Sequence, residues 1–149
     1  MSKTGISLLS VIALASVLLH CKKITPGLTI TLYDKPLSVI ESHINGKWNL
    51  RYLHGGLSTQ TIQLSDVTWA FGTGDRITEI YHGTTISDTV INWMRDAGQL
   101  IGVDSTYLMD FTDKQFLPRV YVVDGIFNDS LVLHDNAVDG FYYHFTRSN

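Results

Sequence analysis

From Gly46 to its C-terminal end the chain alternates apolar and polar residues with a period of two, and few architectures accept that pattern. Trp48, Leu50 and Tyr52 alternate with Asn49, Arg51 and Leu53, and Val67, Trp69 and Phe71 with Thr68 and Ala70. Similar runs occupy 77–81, 90–94, 107–111, 120–126, 131–134 and 141–147. Side chains on a strand point alternately to opposite faces, so each run offers one face for burial. Between the runs lies turn chemistry: Gly72, Thr73, Gly74 and Asp75; Asp96, Ala97 and Gly98; Asn128, Asp129 and Ser130; Asp139 and Gly140. Eight short strands so punctuated indicate an all-β barrel or sandwich. No long helical pattern separates them, which argues against a parallel βαβ sheet.

What precedes Gly46 has a different character. Residues 22–35 read as a tether, with Pro26, Gly27 and Pro36 as breakers. Leu37, Ile40 and Ile44 then fall at helical spacing behind Pro36, which suits a first helical position. The competing reading of this stretch is an extended segment.

The first 20 residues have the parts of an export signal. Lys3 supplies a positive start, and residues 6–19 form an uncharged run of 14. That length suits a signal core and falls short of the roughly 20 residues a spanning helix requires. Leu18 stands three residues before Cys21, the only cysteine. The spacing resembles the lipobox of bacterial lipoproteins, in which the cysteine is lipidated after cleavage; His20 departs from its usual small residue. A lone cysteine cannot form an intramolecular disulfide. The resemblance implies a lipid anchor on Cys21 and a place in the cell envelope. The absence of acidic residues just after Cys21 points to the periplasmic face of the outer membrane rather than the surface. Lys22 and Lys23 would add weak attraction to anionic headgroups.

Removing residues 1–20 leaves 129 residues, enough for one domain, with 10 basic and 14 acidic side chains. With no basic run after Lys23, a nucleic-acid surface is disfavoured. Aromatic residues make up 11% of the chain, ample for a packed core.

A short helix leading into Gly46, Lys47 and Trp48, a G-x-W at the head of the first strand, and a last strand ending in Arg147 together resemble the lipocalin-like domains of bacterial lipoproteins. The resemblance covers about residues 45–149. It implies an antiparallel, up-and-down, eight-stranded β-barrel with a short N-terminal helix, acting as a monomer. It also implies that Arg147 lies across the Trp48 ring at one barrel end. Arg147 as an anion ligand is the other reading.

No catalytic constellation is legible. The mature histidines, His43, His54, His82, His134 and His144, lack metal-ligand spacing, although His54 and His82, or His134 and His144, could meet across strands. The serines lack a G-x-S-x-G setting. Residues 135–140 read as a hairpin turn rather than a calcium loop. Neither a metal nor a cofactor is implied, and the chain is not expected to be an enzyme. What remains is an aromatic interior. Tyr52, Trp69, Phe71, Trp93, Tyr107, Tyr121 and Tyr143 are the candidates to line it and to take a small hydrophobic or amphipathic ligand. A dry, filled core explains the same residues. The alternative function is a non-catalytic envelope module that docks a partner protein.

Overall fold

The structure is a computed structural model and describes residues 27–57, 60–99, 101–111 and 120–148. The export-signal segment, Cys21, and Lys22 and Lys23 lie outside the described residues.

The described chain is all-β apart from one helix. Its elements are β1 (Ile30–Thr31), α1 (Leu37–Ile44), β2 (Gly46–Gly55), β3 (Gln60–Phe71), β4 (Arg76–Tyr81), β5 (Thr84–Val90), β6 (Asn92–Gly98), β7 (Val103–Asp110), β8 (Val120–Phe127), β9 (Ser130–Asp135) and β10 (Phe141–Arg147). One ten-stranded antiparallel sheet results, in the order β5-β4-β3-β2-β10-β9-β8-β7-β6, with β1 paired to β8.

Local chemistry explains the hairpins. Asn128 and Asp129 take φ of 51° and 62° between the paired residues Phe127 and Ser130. His82 and Gly83 do the same, at 48° and 76°, between Tyr81 and Thr84. Two central residues with positive φ match the right-handed twist of the flanking strands, and Asn, Asp and Gly enter that region most readily.

Every link in the order apart from β2–β10 joins strands consecutive in sequence, and β2 itself pairs β10. The order is therefore an up-and-down meander joined head to tail, interrupted between β5 and β6. Those two strands are joined by Ile91 alone, yet β5 pairs β4 while β6 pairs β7, and among the described residues they do not pair with each other. The single strand expected at 90–94 is thus broken at its centre, and the sheet has ten strands and an opening instead of eight strands and closure.

The sheet nevertheless folds back on itself. β3 and β8 are four steps apart in the order, which on a flat sheet means about 19 Å at ~4.8 Å per step. Yet Trp69 of β3 meets Tyr121 of β8 with ring centroids 5.4 Å apart. Inside the curl lie Trp48, Leu50, Trp69, Phe71, Met109, Tyr121, Leu131, Leu133, Tyr143 and Phe145, all buried. Ile40 and Ile44, one helical turn apart on α1, close over this core.

Three expectations need correction. Residues 30–32 are not tether: β1 pairs Ile30 with Ile126 and Thr31 with Gly125, and Leu32 is fully buried. The turn expected at Asp96, Ala97 and Gly98 lies inside β6. It survives as a register shift between Asp96 and Gly98, where the Asp96 side chain accepts the Ala97 N–H at 2.7 Å. Strand β3 starts at Gln60, seven residues before the expected run, because its first half is exposed and carries little apolar signal.

Candidate functional site

Helix α1 buries Ile40 and Ile44, so the residue after Ile40, Glu41, is carried to the flank of the helix. There it meets the β3–β4 turn, where Asp75 sits with φ of 58°. Asp75 ties two parts of the sheet together. Its carbonyl accepts the Ile91 N–H at 2.7 Å, and its carboxylate accepts Trp93 Nε1–H at 3.1 Å. The β3–β4 turn is in this way fastened to the β5–β6 junction, the place where the sheet is interrupted.

A cavity of about 320 Å³ opens at this junction. Phe71, Ile91, Trp93 and Ile44 give it apolar walls. Ser38, Glu41, Ser42, Asn45 and Asp75 give it a polar rim. Desolvation raises the pKa of Glu41 above its ordinary value, reinforced by contact with the Asp75 carboxylate. Among the described residues the one cation in the lining is Arg76, which points its guanidinium to Asp88 at 2.6 Å. That contact lowers the Asp88 carboxyl and raises Arg76 further. The rim consequently holds two carboxylates whose charge Arg76 does not offset.

The sequence-predicted lining residues divide into three groups. Phe71 and Trp93 line the cavity. Trp69, Tyr121 and Tyr143 lie deeper, in mutual ring contact at 5.2–6.2 Å, and Trp69 also meets Phe111 edge-on at 5.3 Å. Trp69 Nε1 is buried there without a hydrogen-bond partner. Tyr107 packs partly against the core under the Arg95 guanidinium, 5.5 Å from its centroid.

Tyr52 is a correction, since it does not share the face of Trp48 and Leu50. The ladder shifts register between Leu50 and Tyr52 on the β3 side, and opposite the same point on β10. Arg51 is the extra residue, and a bulge of one residue reverses the alternation beyond it. Leu53 takes the core-facing place, and Tyr52 stacks on His144 at 4.3 Å on the other face.

At the far end of the same strands Arg147 lies 4.4 Å from the Trp48 ring centroid. Its guanidinium donates to the carbonyls of His43 and Asn45, at 3.3 and 3.4 Å. Trp48 Nε1–H donates to the Ile44 carbonyl at 2.6 Å. A second cavity, of about 390 Å³, borders this pair.

The histidines do not meet in the expected pairs. His82 lies beside Asp66 at 3.4 Å and His54 beside Thr61 at 3.5 Å. His134 is opposite Tyr142, and His144 opposite Tyr52. His134 is fully buried; desolvation lowers its pKa, while the nearby Asp124 carboxyl is raised by its own burial. Neither cavity is lined by His134 or Asp124. Among the described residues no group of three acidic, histidine or cysteine side chains is placed to hold a metal.

Glu41 and Asp75 were missed by sequence reasoning. Asp75 reads as one more turn aspartate, and 34 residues separate it from Glu41 with no local motif linking them. Compared with known protein families, with curated proteins and with solved structures, the chain matches none.

Proposed function

We propose that the protein is a non-catalytic binding module that takes a small amphipathic ligand in the cavity beneath α1. The cavity at the β5–β6 junction carries this reading. Its volume, about 320 Å³, falls at the lower end of the range for small-molecule sites, about 300–1,000 Å³. Its walls are apolar and its rim polar, as an amphipathic molecule requires.

The proposal includes a lipocalin-like barrel. If β5 and β6 are the two halves of one strand bent at Ile91, the head-to-tail meander has eight strands, with a gap in its wall between β4 and β7. The cavity lies beside that gap. The proposal also places the domain in the cell envelope, at the periplasmic face of the outer membrane, as a monomer held by lipid on Cys21. The export-signal pattern and the spacing of Leu18 to Cys21 support this part. Mass spectrometry of the exported protein tests it, and an unmodified Cys21 thiol would remove the anchor.

Ligand binding is tested with a neutral apolar dye, N-phenylnaphthylamine, read through tryptophan quenching. Ser38→Trp puts an indole on the exposed cavity rim without touching the core. Binding to the parent and at least about tenfold weaker binding to the variant are expected. Equal binding to both would move the site elsewhere.

A second reading, an envelope module that docks a partner protein, is favoured by β5. This strand ends the sheet order and exposes Ile86 and Val90 at 43% and 56%. It has no Lys or Pro of the kind that blunts an edge. Crosslinking in the envelope through β5 tests it; recovery of the protein alone would count against it.

A further inference from the structure

The rim of the α1 cavity favours one class of ligand headgroup. Glu41 comes from the helix and Asp75 from the β3–β4 turn, and their side chains meet at the cavity. Two carboxylates in contact repel unless a proton or another cation lies between them. Among the described residues the lining contains a single basic side chain, Arg76, and Asp88 holds it at 2.6 Å. Trp93 contributes one N–H, already given to Asp75 Oδ1. His43, next along α1 from Ser42, donates from Nδ1 to the Val39 carbonyl at 2.8 Å. The cavity therefore offers negative charge in excess, beside apolar walls that include an indole and a rim whose Ser38, Ser42 and Asn45 side chains can donate as well as accept.

We propose that the cavity binds a primary ammonium on a short apolar tail, the ammonium between Glu41 and Asp75 and the tail against Phe71, Ile91 and Trp93. The inference rests on the binding-module reading and names the ligand class for that same cavity. An ammonium brings a positive charge and three donors to the two carboxylates, and Trp93 adds a ring to which a cation is attracted. An anionic headgroup would be repelled. A neutral one would leave the paired carboxylates uncompensated. Among the described residues no third acidic, histidine or cysteine side chain joins the two carboxylates to hold a metal. Burial raises the Glu41 pKa, and the neighbouring Asp75 carboxylate adds to the rise.

The test is calorimetric titration of the protein at neutral pH with octylamine, octanol and octanoate, which share one tail. A hydrogen bond to a charged group contributes about 1.5–3 kcal/mol. Octylamine is thus expected to bind at least about tenfold more tightly than octanol, with octanoate weakest. Asp75→Asn keeps an acceptor for Trp93 Nε1–H, and Glu41→Gln preserves the shape of the rim. Each should reduce the preference for amine over alcohol while leaving octanol affinity within about twofold. Two variants guard against one that fails to fold. Equal affinity for amine and alcohol, both lost in Ser38→Trp, would overturn the amine inference and leave the binding cavity standing. Absence of binding by all three would remove both. Calcium chloride that binds at the same site and displaces octylamine would overturn the amine reading in favour of a metal site.

Discussion

The Arg147 guanidinium lies over Trp48 with its central carbon 4.4 Å from the ring centroid, while its nitrogens reach the carbonyls of His43 and Asn45 at the end of α1. One side chain thus joins the last strand, the first residues of β2 and the helix that covers the core. Arg147→Met keeps much of the apolar stem and loses both the stacked charge and the hydrogen bonds. An exposed cation–π contact contributes about 0.5–1 kcal/mol, and a hydrogen bond about 0.5–1.5. A loss of about 1–3 kcal/mol on urea unfolding is expected. Arg147→Lys should recover only part of it, because an ammonium cannot stack and bridge at once.

The two most buried indoles differ in their polar atom, and that difference is measurable. Trp48 Nε1–H donates to the Ile44 carbonyl at 2.6 Å, whereas Trp69 Nε1 has no partner among the described residues. Replacing either with Phe removes similar volume. Trp48→Phe also strands a buried carbonyl, and Trp69→Phe removes an unsatisfied donor. Trp48→Phe should therefore be the more destabilising by about 1–3 kcal/mol. Equal losses on chemical denaturation would mean that Trp69 Nε1 is satisfied in solution.

Glu41 has a folded-state pKa above its ordinary value of 4.5. The folded protein holds this proton more tightly than the unfolded chain does. The resulting stability is fully present below pH 4.5 and is lost as pH rises from there through the folded value. Glu41→Gln should remove this slope and raise the melting temperature at neutral pH relative to the parent. A parent and variant with parallel pH profiles above pH 4.5 would contradict it.

His134 and His144 act in the opposite sense. Burial lowers both below their ordinary 6.5. In His134 the geometry shows why. Nδ1 lies 3.1 Å from the Asp135 carbonyl, which can only accept, so the neutral ring carries its proton there. Nε2 is buried with no partner among the described residues, and protonating it would bury a charge. Stability from these residues is present above pH 6.5 and lost as pH falls through the folded values. His144→Phe retains a ring on Tyr52 and should flatten part of that acid-side loss in thermal melts.

Gly125 lies where β1 crosses β8. A Cβ there would come within 2.5 Å of the Ile30 carbonyl oxygen and 2.7 Å of the Phe127 ring. Gly125→Ala should loosen β1 and destabilise the protein by about 1–3 kcal/mol. Hydrogen exchange at Ile30 and Thr31 should speed up more than exchange in β9.

Alternation and turn chemistry made the antiparallel, all-β class legible, and the resemblance carried by Gly46, Trp48 and Arg147 implied the contact of Arg147 with the Trp48 ring. Irregularities were not legible. A bulge at Arg51 turns Tyr52 outward, and nothing local distinguishes Arg51 from any other polar strand residue. The break at Ile91 is invisible because an apolar residue between two strands reads as strand. Strand β1 is hidden in a segment too short to show a period. The rim of the cavity was beyond reach for a different reason: Glu41 and Asp75 belong to a helix flank and a turn, and only the curl of the sheet brings them together.

The pairing of β1 with β8 also defines a load path. Among the described residues, a force applied at Gly27 first meets two paired residues, the buried Leu32, and the bonds of Leu28 N–H to Asp129 and of Asn128 N–H to Thr29. These contacts lie in parallel on one hairpin, so a pull along β1 would shear them together, whereas a pull across it would part them one by one. A pull on Gly27 is thereby resisted first by one short strand rather than by the bulk of the sheet.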